Sequence, residues 1–421
     1  MLKKLRFSAI QVIFLASLAS ASGFDFDGRG AGRVLDIPAA EAPSVSPSAP
    51  ADRQKEWTIM VYLNGKNNLD LAALSNVDAM EKVGSGAKYN IVVELGLTKS
   101  YDPATGTLVN ARRYLIKKDN IQNGDSEYLI DSPAVQTLAK ADMGDYKHLA
   151  EFGRWAKANY PAKKYMLIVW NHGSGWLKSA EGVDDKGISY DDATGHHIST
   201  PELGQALKEI GGVDVYASDA CMMQMAEVVY ELKDSADYIT GSEEAEPETG
   251  YPYDMVLGRL ADRPEMGGAE LGQAVVDAYN EYYKQHWGNT TLSVVATSAV
   301  KGLVPVVNDF VRAAMAARER RVIKAVIAKT QAFYYNDNKD LWHFLSLYAE
   351  ASKSPEVKIT AKALEDYLSG ALIMRNRVSG EKYANSKGLA VFLPPVYFDS
   401  TYKELAWARD TQWDEFVKWY R

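Results

Sequence analysis

Two residues could do chemistry together: Cys221, which is the only cysteine of the 421-residue chain, and His172, which stands directly before a glycine. A thiol and an imidazole make a nucleophile and its base: the ring takes the proton, the thiolate attacks, and the ring returns the proton to the leaving group. Each residue follows an apolar run of strand length, Tyr165-Met-Leu-Ile-Val-Trp170 before Asn171-His172-Gly173 and Val213-Asp-Val-Tyr-Ala217 before Ser218-Asp219-Ala220-Cys221. If those runs are neighbouring parallel strands, both side chains emerge at the same sheet edge. Gly173 has no Cβ, so its N–H can approach a developing oxyanion and, with the N–H of Cys221, form an oxyanion hole. Ser174 lacks the G-x-S-x-G elbow that a serine hydrolase of this architecture needs. The adjacent His196-His197 pair has no partner at metal-ligand spacing, so no metal site is assigned and the pair reads as polar loop.

The elements that must position these residues follow from periodicity. Thr58-Ile-Met-Val-Tyr-Leu63 and Tyr89-Asn-Ile-Val-Val-Glu-Leu95 repeat the apolar strand signal. Helical patterns run through Leu69, Leu71, Leu74, Val77 and Met80, through Leu149, Phe152, Trp155 and Ala156, and from Pro201 to Ile210 behind an N-cap at Ser199 or Thr200. Continuous apolar strands separated by amphipathic helices predict an α/β fold with a mostly parallel sheet covered on both faces, and such sheets carry their sites beyond the carboxyl ends of the strands. Between Tyr101 and Leu129 the rhythm breaks into an edge hairpin with an antiparallel strand at Ala111–Ile116. After Tyr253 the chain is mainly helical, with strand-like runs at Thr291–Thr297 and Gly388–Leu393 and a last helix from Thr411 to Tyr420.

Residues 1–21 have a basic start, an apolar core from Ile10 to Leu18 and a small-x-small end at Ala19-Ser20-Ala21, the form of a cleavable signal peptide. Residues 22–56, rich in Ala, Pro and Ser, read as a linker or pro-segment. Residues 57–300 are the expected catalytic domain and 301–421 a C-terminal helical region with a late strand. No later segment is long and apolar enough to span a bilayer, so the expectation is a secreted or periplasmic monomer. An exported chain normally pairs its cysteines, so a lone thiol points to chemistry rather than to a disulfide. A net charge of −8 without a basic cluster argues against nucleic acid as a partner.

Four pieces, in order, resemble the clostripain family of cysteine peptidases, in the larger group whose fold is similar to that of caspases and gingipains. They are Trp57-Thr-Ile-Met-Val-Tyr-Leu63 with Asn67-Asn-Leu-Asp70, then Trp170-Asn-His-Gly-Ser-Gly-Trp176, then Ser218-Asp-Ala-Cys-Met-Met223, then Thr240-Gly-Ser-Glu-Glu-Ala-Glu-Pro-Glu-Thr-Gly-Tyr-Pro-Tyr253. The resemblance implies a His172–Cys221 dyad and an endopeptidase acting on proteins or peptides at Arg or Lys. It also implies a pocket for that basic residue built on Asp219. Ser242 and Glu248 are the further substrate-binding candidates, Glu248 because some relatives carry a second acid where this chain has Thr249. It implies self-processing in the loop from Leu177 to Ser199, where Lys186 is the candidate cut, and makes Ca²⁺ a candidate cofactor, although none is required by the residues themselves. The competing reading is a catalytically silent peptide- or glycan-binding protein on the same scaffold. Asp219 has a second reading as the cap of a helix beginning near Met222.

Overall fold

The computed structural model describes residues 54–101, 108–119, 129–176, 187–286 and 288–421. Signal and linker up to residue 53, the Asp102-Pro103 and Thr105-Gly106 turn, Lys178 and Lys186 lie outside these residues. The described residues fall in one compact unit, Ser48–Arg421. In chain order the strands are β1 (Lys55–Gly65), β2 (Tyr89–Tyr101), β3 (Leu108–Leu115), β4 (Ala134–Leu138), β5 (Ala162–Trp170), β6 (Ile188–Asp191), β7 (His196–Ile198), β8 (Val213–Asp219), β9 (Ala236–Gly241), β10 (Thr290–Ala296), β11 (Asn338–Asp340), β12 (Ile373–Ser379) and β13 (Ala390–Phe392).

Nine of them form one sheet in the order β12-β10-β9-β8-β5-β1-β2-β3-β4. The middle, from β9 through β8, β5 and β1 to β2, is parallel. Both margins are antiparallel, β2 with β3 and β3 with β4 on one side, β9 with β10 and β10 with β12 on the other. The sheet is thus mostly parallel at its centre, as its apolar strands predict, and the expected hairpin at Ala111–Ile116 is β3 against β2. β12, which the residue pattern did not mark, joins the sheet from beyond residue 301. Its side chains are mostly half-buried without alternation, with Arg375 and Arg377 paired to Asp277, so no apolar run announces it.

Alternation along β1 explains the continuous apolar run. Ile59, Val61 and Leu63 enter one core layer with Ile91, Val93, Met166 and Ile168, while Met60 and Tyr62 enter the other with Val92, Leu167 and Val169. Helices Asp70–Glu81, Tyr253–Asp262 and Gly268–His286 cover the first layer through Val77, Val256, Leu260, Leu271 and Val275. Helices Tyr146–Asn159, Thr200–Ile210 and Ala226–Leu232 cover the second, joined by helices from the C-terminal third through residues such as Phe310, Phe344, Leu364 and Phe416. Thr200–Ile210 starts as expected, at a capping box in which Ser199 Oγ accepts from the Glu202 N–H and the Glu202 carboxylate accepts from the Ser199 N–H. The late strand, β13, pairs with β11 in a separate two-stranded sheet.

Candidate active site

The parallel register of β5 and β8 matches Val169 with Ser218 and Trp170 with Asp219. Two residues further on each strand come His172 and Cys221, so the pairing that builds the sheet also brings imidazole and thiol to the same edge. The ends are laced: the Asn171 N–H donates to the Asp219 carbonyl at 3.2 Å, and Asn171 Nδ2 donates to the Asn64 carbonyl of β1 at 2.5 Å. Gly173 is pressed against the nucleophile strand, since a Cβ there would come 2.5 Å from the Cys221 carbonyl oxygen. That contact explains the glycine: the approach of the two chains leaves no room for a side chain.

His172 is half-buried, and its Nε2 lies 2.8 Å from Asn68 Oδ1. With Nε2–H donating to that oxygen, the lone pair of Nδ1 is left for the thiol side. Burial lowers the imidazole pKa, opposed by the charges of Asp192 and Glu248. Sequence reasoning used the run Asn67-Asn-Leu-Asp70 only as a sign of resemblance. Its signal for function is position, just past the carboxyl end of a central parallel strand.

Cys221 is half-buried and free. The Glu246 N–H donates to Sγ at 3.3 Å, and the Glu246 carbonyl lies 3.9 Å from Sγ. Burial raises the thiol pKa, the Glu246 N–H lowers it, and the charges of Glu244 and Asp219 raise it again. After the cysteine the chain does not enter a helix. Met222 sits at φ 58°, and the Met222 and Gln224 N–H groups donate to the carbonyls of Glu244 and Ser242 at 3.0 and 2.9 Å. The helix begins only at Ala226, with no side-chain cap. Asp219 is therefore not a helix cap; its Oδ2 accepts from the Tyr251 N–H at 3.1 Å and from the Tyr253 hydroxyl at 2.8 Å.

Asp219 is almost fully buried, and the carboxyl beside it belongs to Glu246. Counted as an anion, Glu246 has no donor to either of its buried oxygens. As an acid it donates its own proton to Asp219, and that is the state burial favours, because it pushes both carboxyls up and Glu246 well above the usual range. Glu248 is exposed and acts on His172 by its charge, not on Asp219. Thr249 is exposed and meets the Tyr283 hydroxyl at 2.7 Å. Ser242 is buried in the wall behind the site, its hydroxyl 2.9 Å from Thr291 Oγ1 and accepting from the Glu244 N–H. Sequence reasoning missed Glu246: two residues of a Glu-x-Glu-Pro-Glu stretch look alike until the backbone turn decides which one points inward.

The sequence model of the clostripain family matches residues 61–420. The chain belongs to the clostripain family. Clostripain of Hathewaya histolytica is 29% identical over 241 residues, covering 52% of this chain and 45% of its own length. The chain thus spans less than half of that curated relative. Among solved structures, a secreted C11 cysteine protease from Bacteroides thetaiotaomicron in complex with an irreversible peptide inhibitor superposes with a TM-score of 0.63 at 20% identity, over 86% of this chain and 99% of that one. An inactive zymogen C11 protease from Parabacteroides distasonis superposes with a TM-score of 0.60 at 18% identity, over 87% and 99%. These two show the fold.

Within this clostripain-family frame, the described part of the candidate processing loop, from Gly187 onward, is tied to the site. Ser174 N–H donates to the Gly187 carbonyl at 2.9 Å and Ser189 N–H to the His172 carbonyl at 3.3 Å. The Tyr190 N–H donates to Asn171 Oδ1 at 2.7 Å, and Lys66 Nζ makes a buried ion pair with Asp191 at 2.7 Å. His196 bonds Asp142 at 2.5 Å and His197 stacks on Tyr190 with centroids 5.0 Å apart. Among the described residues no group of three or more His, Cys, Asp or Glu is arranged to hold a metal ion, and no helix is long and apolar enough to cross a membrane.

Proposed function

We propose that this chain is a secreted or periplasmic cysteine endopeptidase that cleaves proteins or peptides after Arg or Lys. The observation that carries the proposal is the register of β5 and β8, which pairs Trp170 with Asp219, the residues two before His172 and Cys221. In the reaction, His172 Nδ1 takes the thiol proton and Cys221 Sγ attacks the scissile carbonyl. The oxyanion is met by the N–H groups of Gly173 and Cys221, the imidazolium protonates the leaving amine, and water hydrolyses the thioester. Asp219 supplies the negative charge for a basic side chain, since pairing in a desolvated pocket discriminates charged from neutral residues.

Self-processing at Lys186 belongs to the same proposal, and the zymogen state of the Parabacteroides distasonis neighbour is in keeping with it. A chain cut before Gly187 would stay assembled, because the Lys66–Asp191 pair, the Tyr190 N–H bond to Asn171 Oδ1 and the Ser189 N–H bond to the His172 carbonyl hold the following hairpin to the sheet. The test is release of a fluorogenic Arg or Lys peptide by wild type and by Cys221→Ala. The wild type should turn over and run as two fragments, while the variant stays intact and silent. Equal signal from both would end the peptidase reading.

A further inference from the structure

We infer that the basic side chain of a substrate activates the enzyme as well as anchoring it: a cation entering beside Asp219 makes Cys221 a better nucleophile. The inference rests on the proposed basic pocket and adds a consequence that anchoring alone does not have.

The acidic pair is built to hold one negative charge. Asp219 receives two donors, the Tyr251 N–H and the Tyr253 hydroxyl, which favour its ionised form. Glu246 receives none and keeps its proton, which it donates to Asp219. Among the described residues no Lys, Arg or His acts on either carboxyl. Gly250, at φ +62°, lies so close that a Cβ would be 2.7 Å from Asp219 Oδ1, so the chain passes directly over the carboxyl with a residue that adds no side chain there. A single buried anion without a cation is an expensive arrangement unless a ligand supplies one.

Glu246 also ties this pocket to the nucleophile, because its N–H is hydrogen-bonded to Cys221 Sγ at 3.3 Å while its side chain is in the acidic pair. The groups acting on the thiol are the Glu246 N–H and carbonyl and the carboxylates of Glu244 and Asp219, and His172 follows the end of the neighbouring strand β5. In the unliganded protein two of these are negative and hold the thiol in its neutral form. A monocation at Asp219 cancels one of them, and with a negative neighbour neutralised the thiolate becomes easier to form. The charge balance closes one for one, since Glu246 retains its proton throughout.

Alkylation by the neutral reagent iodoacetamide reads this directly, because thiolate attack forms a thioether and releases iodide, and Cys221 is the chain's only thiol. The rate is measured at pH 7 on the full chain with n-butylguanidinium, which carries the arginine head, or with neutral n-butylurea. A thiol pKa lower by one unit gives about tenfold more thiolate of roughly threefold lower intrinsic reactivity, a net rise of about threefold. The guanidinium should produce that rise saturably and the urea should not. Asp219→Asn should react faster than wild type without either additive and should ignore the cation, while Glu246→Gln, whose amide can still donate to Asp219, should keep the response. An unchanged or slowed rate with guanidinium, equal acceleration by the urea, or loss of the response in Glu246→Gln overturns the inference. Cleavage after Arg or Lys without acceleration defeats it alone; acceleration without such cleavage defeats the specificity proposal alone.

Discussion

Replacing Asn68 by alanine removes the oxygen that His172 Nε2 meets at 2.8 Å. Asn68 itself is exposed and makes no contribution to either core layer, so the melting temperature should not move. A hydrogen bond to a group that becomes charged is worth about 1.5–3 kcal/mol, and water can replace part of it at an exposed position, leaving about 1–2 kcal/mol. At 1.36 kcal/mol per tenfold that is roughly a 5- to 30-fold loss in kcat/KM. The loss should fall on kcat, because the bond orients the ring and stabilises the imidazolium rather than binding substrate. Asn68→Asp should instead raise the imidazole pKa and move the acidic limb of the kcat/KM–pH profile upward, since a carboxylate favours the protonated ring and only the neutral ring can take the thiol proton. The assay is a pH series with a fluorogenic basic peptide on wild type and both variants. Unchanged kinetics in Asn68→Ala, or an acidic limb that stays in place in Asn68→Asp, would refute the assigned orientation of the ring.

Two further perturbations probe the surroundings. Gly173→Ala drives a Cβ to 2.5 Å from the Cys221 carbonyl oxygen, and because that atom is backbone the strand ends must part; the cost is about 1–3 kcal/mol in stability and about 10²-fold or more in turnover as the oxyanion donor shifts. Activity within a factor of three of wild type would show that the contact is not needed. Glu227, buried at the start of the helix after the nucleophile, accepts from the Phe392 N–H and the Tyr402 hydroxyl, and burial pushes it up to about 7. Its folded pKa is raised, so the stability it contributes is present below the unfolded value near 4.5 and is lost as pH rises through 7. The share is at most about 3 kcal/mol. Urea unfolding between pH 4.5 and 8 should show a smaller fall in stability for Glu227→Gln, and equal slopes would place the titration elsewhere.

Much of this protein is legible before folding. The apolar runs of β1, β2, β5 and β8 can only be strands buried on both faces, and polar, reactive residues directly after two of them locate the site at the carboxyl edge. Gly173 and the lone Cys221 follow from chemistry that needs a close N–H and a thiol. Tertiary structure alone decides the rest, because it depends on which residues meet across sequence separations that no local pattern records. β12 is amphipathic in neither strand nor helix sense, and it is recruited by Asp277 and the exposed edge of β10. Asn68 becomes the partner of His172 only when the end of β1 is set next to the end of β5. Among Glu243, Glu244, Glu246 and Glu248, composition offers no choice; the turn through Pro247 buries the carboxyl of Glu246 against Asp219 and leaves that of Glu248 in solvent. The cysteine and histidine are thus written in the chain, and the charge that surrounds them is set by the fold.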